Sequence, residues 1–103
     1  MSQVLLNLLG NSIHAVQLHK QPWIKIVCSE TNEFYEIRMI DSGEGLNKSI
    51  QRKLFQPFFT TKDIGVGTGL GLSISKAIVE DHHGKLFYDT SSKNTCFVIQ
   101  FRK

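Results

Sequence analysis

The spacing of apolar and polar residues changes along the chain, and it predicts a helix first. Over residues 2–19 the apolar positions recur at helical spacing. They predict one buried stripe, which is made of Leu5, Leu8, Leu9, Ser12, Ala15 and Val16. The neighbouring face of this helix carries Asn7, Asn11, His14 and Leu18. We expect the helix to end at Gln21-Pro22, because proline cannot continue it.

A period of two follows and predicts a pair of strands, at residues 23–29 and 34–40, with a turn at Thr31-Asn32. The alternation continues to Asp41, which therefore points to the same side as Ile37 and Met39, toward the core. A carboxylate that points inward at the end of a strand needs a partner or a ligand.

The second half of the chain contains two glycine-rich stretches, at residues 41–45 and 65–71, and again predicts helices followed by a pair of strands. Asn47 is expected to cap a short helix that runs to about Leu54. A further amphipathic helix is expected to reach about His83, with Gly84 as the residue that terminates it. Two strands are expected to follow, Leu86–Tyr88 and Cys96–Phe101.

Helix, hairpin, glycine loops, helix and hairpin in this order predict an α+β fold. We expect a two-layer sandwich, in which a mixed, mostly antiparallel sheet of about four strands carries two main helices and a short third on one face. The length of 103 residues fits a single domain, residues 1–103.

Composition excludes several classes of protein. Twelve Lys and Arg against nine Asp and Glu give a net charge of +3, and there is no basic run typical of nucleic-acid binding. No apolar stretch approaches the ~18 residues of a membrane span, and the first residues do not resemble a signal peptide. Cys28 and Cys96 form no CxxC pair and are expected to be small buried side chains in a reducing, cytoplasmic compartment.

Three groups of residues carry candidate chemistry. Gly67–Gly71 opens directly into a helix, where free N–H groups favour a phosphate, although a plain turn fits as well. Asn7 and Asn11 lie one turn apart, and an amide oxygen is a suitable Mg²⁺ ligand, but helix-surface asparagines are common. Asp41 is placed to accept a hydrogen bond from the amino group of adenine, while the alternative is an ordinary turn aspartate.

Taken together, these groups resemble the catalytic and ATP-binding domain of sensor histidine kinases, within the wider gyrase, Hsp90 and MutL group (the Bergerat-type fold). The boxes of that family occur in order over nearly the whole chain. They are the N box Asn7–Asn11, the first glycine box Asp41–Gly45, the F box Leu54–Lys62 and the second glycine box Gly67–Leu72.

The resemblance implies a role for each matching residue. Asn11 would bind Mg²⁺ beside Asn7, Asp41 would bind the adenine amino group, and Lys62 would lie on a lid over the phosphates. Thr95 matches a threonine near that aspartate. The other positions assigned to ATP are His14, Gly43, Gly45, Leu46, Phe59, Gly67, Thr68, Gly69, Leu70, Gly71 and Leu72.

The sequence departs from the family pattern at a few positions. Ser12 stands where alanine is usual, and His83 and Asn94 stand where glycine is common. A left-handed backbone at either of the last two suits asparagine better than histidine. The gyrase-like relatives carry a glutamate base where this chain has Asn7, so ATP hydrolysis by that mechanism is disfavoured.

The function implied is the ATP-binding half of a cytoplasmic histidine kinase. This domain would bind ATP and Mg²⁺ but would not carry the phosphoacceptor histidine. None of the four histidines matches the acceptor motif, so the acceptor is expected on a separate helical domain, with a response regulator downstream. The alternative is a non-catalytic regulatory module of the same fold, similar to anti-sigma factors; an RNA-binding domain has little support. We expect a fragment of a longer kinase, inactive alone and without contact to nucleic acid or membrane, whose exposed sheet edge pairs with another chain.

Overall fold

The computed structural model describes residues 2–56 and 71–103. In this part of the chain the elements follow the predicted order. They are α1 (Ser2–Val16), β1 (Ile24–Glu30), β2 (Phe34–Asp41), α2 (Lys48–Lys53), α3 (Gly71–Asp81), β3 (Gly84–Tyr88) and β4 (Cys96–Arg102). No helix within these two ranges has both the length and the apolar character needed to cross a membrane.

The strands form one sheet in the order β1-β2-β4-β3, and every neighbouring pair in it is antiparallel. The helices lie on one face, so the predicted α+β sandwich is confirmed. Register places Met39 of β2 opposite Phe97 of β4 and Ile37 opposite Ile99. The buried core between helices and sheet consists of Val4, Leu8, Met39, Leu54, Val79, Leu86, Phe97 and Ile99.

The first helix is shorter than its pattern predicts and is rotated slightly from the expected stripe. It ends at Val16, where the N–H of His19 closes a turn onto the Val16 carbonyl. Leu18, beyond this end, is 92% exposed. Val4 is buried although the predicted stripe omitted it, and Ala15 is exposed although the stripe included it.

The expectation that both cysteines are buried is correct for Cys96 and wrong for Cys28, which is exposed. Cys28 lies on β1, the outermost strand of the described sheet, and faces the side that carries the helices. Because α1 packs over β2, the neighbouring apolar side chains of β1 and β2 also stay open. Ile26 and Tyr35 are each 53% exposed.

The end of α3 differs from the prediction. The helix ends at Asp81, and His83, rather than Gly84, adopts the left-handed backbone, with φ of 62°. Gly84 already belongs to β3, where a Cβ atom would lie 2.6 Å from the ring of Phe101. Residue 84 must therefore be glycine because a side chain there has no space. The strained, left-handed backbone of the turn lies at His83 instead.

We predict that His83→Gly stabilises the domain by about 0.5–1 kcal/mol, because glycine adopts a positive φ without steric cost. The measurement is the free energy of unfolding in urea. The matched control is His82→Gly, one residue earlier, where the ring Nδ1 lies 2.9 Å from the Ile78 carbonyl. The control variant loses this contact, and it relieves no strain because His82 does not have a positive φ, so it should be less stable than the wild type. If His83→Gly also lost stability, the explanation would be contradicted.

Candidate functional site

The centre of the site is a carboxylate at the end of β2. Asp41 is only 2% exposed, as its alternation with Met39 predicts. Its N–H donates to the carbonyl of Thr95 at 3.0 Å, and its Cα pairs with that of Ile24 on the other side. The last residue of one central strand and the residue that precedes another therefore meet at one point.

Burial raises the pKa of Asp41 above its usual value. Three neighbours act in the opposite direction and favour the ionised form. The N–H of Gly43 donates to Oδ1 at 2.8 Å, the hydroxyl of Ser12 forms a hydrogen bond, and His19 contributes a favourable charge interaction. The carboxylate is thus fixed in orientation, and burial outweighs the three effects that favour its ionised form.

The loop after Asp41 needs glycine at two positions. A Cβ atom on Gly43 would lie 2.8 Å from both Asp41 Oδ1 and Thr95 Oγ1. Gly45 has φ of 94°, which side chains rarely tolerate, and a Cβ there would lie 3.2 Å from the hydroxyl of Tyr88. These contacts give a physical reason for both glycines of the first glycine box.

Two side chains that the sequence reasoning missed hold the far end of this loop. The hydroxyl of Tyr88 accepts from the N–H of Leu46 at 2.9 Å, and the side-chain amide of Gln51 donates to the Leu46 carbonyl at 2.6 Å. Asn47 caps α2 as predicted, since its Oδ1 accepts from the N–H of Ile50 at 2.9 Å. The inward parity of Tyr88 on β3 was the available signal for its role.

The turn between β3 and β4 is fastened to the sheet at its base. Arg38 donates to Asp89 at 2.7 Å, while the N–H and hydroxyl of Ser91 donate to the other carboxylate oxygen. These bonds, led by Ser91, lower the pKa of Asp89 to about 2. The turn is therefore anchored at Asp89, and its last residue, Thr95, lies beside Asp41.

The N box and the start of α3 are joined directly. The side-chain amide of Asn7 donates to the carbonyl of Gly71 at 3.4 Å and to the hydroxyl of Ser75 at 3.1 Å. Asn11 lies one turn further along α1 and is half-buried. Asn7 thus lies beside the N-terminus of α3, where the sequence places the phosphate loop.

The structure brings together five residues that the sequence assigns to ATP: Asp41, Gly43, Gly45, Leu46 and Thr95. It joins Asn7 to Gly71 as a second group. His14 is half-buried with its Nδ1 3.5 Å from Gln17 Nε2, so its assignment stays a prediction. The remaining assigned residues outside the described ranges are Phe59, Lys62, Gly67, Thr68, Gly69 and Leu70.

Ser12 is the clearest residue that the sequence reasoning undervalued. It is 3% exposed and its hydroxyl bonds to the carboxylate of Asp41. The departure from alanine thus adds a group to the site. Within residues 2–56 and 71–103 no cluster of three or more His, Cys, Asp or Glu side chains is arranged to hold a metal ion.

Comparison with known proteins agrees with this geometry. A family model described as histidine kinase-, DNA gyrase B-, and HSP90-like ATPase matches residues 1–103. The chain is 34% identical over 103 residues to the C4-dicarboxylate transport sensor protein DctB of Rhizobium meliloti, covering all of this chain and 16% of DctB. It is 39% identical over 87 residues to the histidine-protein kinase AtoS of Escherichia coli, covering 84% of this chain and 14% of AtoS.

Solved structures give the same result. The nucleotide-free catalytic domain of histidine kinase ThkA superposes with a TM-score of 0.80 at 36% identity, covering 98% of this chain and 65% of that one. ThkA in complex with the response regulator TrrA superposes with a TM-score of 0.74 at 31% identity, covering 98% of this chain and 28% of that one. The chain spans about a sixth of the length of curated relatives such as DctB. It belongs to the histidine kinase-, DNA gyrase B- and HSP90-like ATPase family, and within it to the catalytic ATP-binding domains of two-component sensor histidine kinases.

Proposed function

We propose that this domain binds Mg²⁺-ATP and positions its γ-phosphate for transfer to a histidine on a separate helical domain. The observation that carries the proposal is the buried carboxylate of Asp41 in the first glycine box, held in place by Gly43 and Ser12. Such a carboxylate accepts a hydrogen bond from the amino group of adenine. Guanine has a carbonyl oxygen at the same position, which the carboxylate repels, so the site should select ATP over GTP.

The phosphates and the metal belong at the other end of the site. We propose that the amide oxygen of Asn11 holds Mg²⁺ together with phosphate oxygens, since this hard cation prefers oxygen ligands and keeps several from phosphate and water. When bound, the metal neutralises phosphate charge. The N-terminus of α3, at Gly71 and Leu72, offers N–H groups to the phosphates, in continuation of Gly67–Leu70.

Asn7 argues against a hydrolase. Its amide donates to Gly71 and Ser75, so it connects two helices, and a neutral amide cannot accept a proton from water. Transfer to a histidine needs no strong base on this domain, because imidazole is already a nucleophile. Positioning and charge neutralisation then provide most of the catalysis.

The partners follow from the same proposal. The domain acts on a phosphoacceptor helical domain of its own or a partner kinase, and a response regulator receives the phosphoryl group afterwards, in the cytoplasm. The relative ThkA has been solved in complex with a response regulator, which supports a response regulator as partner. Within residues 2–56 and 71–103, β1 is an edge strand of the sheet, and we propose that this edge pairs with a strand of another chain.

The test is calorimetric titration with ATP and with GTP, each with and without Mg²⁺, followed by incubation with radiolabelled ATP and an acceptor-helix domain. We expect Mg²⁺-dependent binding of ATP, weaker binding of GTP, and label on the acceptor histidine only when this domain is present. No binding of ATP at millimolar concentration would contradict the proposal. Binding without transfer to any cognate acceptor would favour the second candidate, a regulatory module that binds ATP.

A further inference from the structure

One side chain outside the assigned site makes a direct contact with the loop that orients Asp41. The side-chain amide of Asn94 donates to the carbonyl of Gly43 at 3.1 Å, across 51 residues of sequence. The same carbonyl accepts from the N–H of Thr95 at 3.1 Å. Gly43 is thus held on its carbonyl side by two donors from the β3–β4 turn.

The other side of Gly43 holds the carboxylate. Its N–H donates to Asp41 Oδ1 at 2.8 Å, so the peptide units on either side of Gly43 connect Asn94 to Asp41. Gly43 is closely enclosed here, because a Cβ on it would lie 2.8 Å from both Asp41 Oδ1 and Thr95 Oγ1. A shift of the Gly43 carbonyl would therefore move the N–H that fixes Asp41.

The turn that carries Asn94 is independently anchored. Arg38 and Ser91 hold Asp89 at its base, and the N–H of Asp89 donates to the carbonyl of Cys96 at 2.9 Å. Asn94 is half-buried and has an ordinary, negative φ, so the strain that would favour glycine is absent there. Loss of its side chain should therefore loosen the Gly43 carbonyl, which keeps only the N–H of Thr95 as donor, without dissolving the turn.

We propose that Asn94 is a positioning residue for purine selectivity. Its amide holds Gly43, and through Gly43 the carboxylate of Asp41, in the orientation that accepts a hydrogen bond from the exocyclic amino group of adenine. The inference rests on the proposed function, since it requires that the domain binds ATP. It assigns part of the discrimination between purines to a residue that does not touch the base.

The experiment compares ATP with purine riboside triphosphate, which differs from ATP only by lacking that amino group. Calorimetry gives both dissociation constants for the wild type, for Asn94→Ala and for the exposed control Asn32→Ala. We expect Asn94→Ala to weaken ATP binding about 10-fold and the purine analogue less than about 2-fold, because one hydrogen bond depends on the orientation of Asp41. Asn32→Ala should change neither constant.

The outcomes separate the two claims. If the wild type does not bind ATP, the proposed function fails. If the wild type binds and Asn94→Ala keeps the ratio of the two constants, whether both are unchanged or both fall equally, the positioning role is overturned and the function stands. Urea unfolding checks that the variant is folded; should it not be, Asn94→Ser, whose hydroxyl is too short to reach Gly43, replaces it in the same comparison.

Discussion

Substitution of Asp41 by asparagine is expected to weaken ATP binding roughly 100-fold or more without unfolding the domain. The two side chains have the same shape, so the N–H of Gly43 keeps its acceptor. The change removes the negative charge, and it turns an amide N–H₂ toward the ligand when the oxygen stays on Gly43. Two donors then face each other, that amide and the amino group of adenine, at a position that is only 2% exposed.

The same variant should be at least as stable as the wild type at neutral pH. Burial raises the pKa of Asp41, so the folded state binds this proton more tightly than the unfolded state does. The wild type therefore loses stability as the pH rises through the unfolded and then the folded pKa, and Asp41→Asn should lack this loss. ATP affinity of the wild type should change in the opposite direction, falling as the pH drops through the raised pKa, because the protonated carboxyl is a poorer acceptor.

Calorimetry with Mg²⁺-ATP and urea unfolding over a range of pH measure both effects. Asp81→Asn is the matched control, since it makes the same chemical change on an exposed residue at the end of α3. We expect it to leave ATP affinity unchanged. If Asp41→Asn bound ATP as tightly as the wild type, the carboxylate would not be part of the ATP site. The observation on which the proposed function rests would then be lost.

Local patterns predicted the parts of the fold that depend on local chemistry. The period of two along Ile37, Met39 and Asp41 places the carboxylate inside, because alternate residues of a strand share a face. Asn47 is a helix cap because its side chain satisfies an N–H three residues later. Neither result required knowledge of distant residues.

Burial and backbone strain were harder to predict because they depend on residues far away in sequence. Cys28 alternates like a core residue, but strand order puts β1 at the edge of the described sheet, where no helix covers it. The prediction that Gly84 ends the helix was wrong, because His83 adopts the left-handed backbone, while glycine is required at residue 84 for the space that the ring of Phe101 occupies. A pattern along one strand contains no information on the strand that pairs with it.

The candidate site shows the same division. Family boxes identify Asp41, Gly43 and Gly45, which lie in one continuous motif. The side chains that hold the motif in place come from elsewhere, since Tyr88 and Asn94 reach it from β3 and the turn after it. The sequence marks Asn94 only as a departure from the family's glycine and Tyr88 only by its inward parity, and the three-dimensional contacts show what both side chains bind.

A second large effect is expected where a glycine is required for space. We predict that Gly84→Ala lowers the free energy of unfolding by about 2–3 kcal/mol, a large share of the roughly 5–15 kcal/mol typical of a domain. The added Cβ would lie 2.6 and 2.7 Å from ring atoms of Phe101 and 2.8 Å from the carbonyl oxygen of Gln100. Ring rotation relieves only the first two contacts, so the β3–β4 pairing at Phe101 must also shift.

Gly10→Ala is the matched substitution with the opposite expected sign. Gly10 is an exposed residue inside α1, and a Cβ there meets nothing within 4 Å. Alanine favours a helix over glycine by about 1 kcal/mol, so this variant should gain stability by about that amount. Urea unfolding of both variants without nucleotide measures the difference. If both glycines responded to alanine in the same direction, helix propensity and close packing would not be the forces that decide these positions, and the contact between residue 84 and Phe101 would have no energetic consequence.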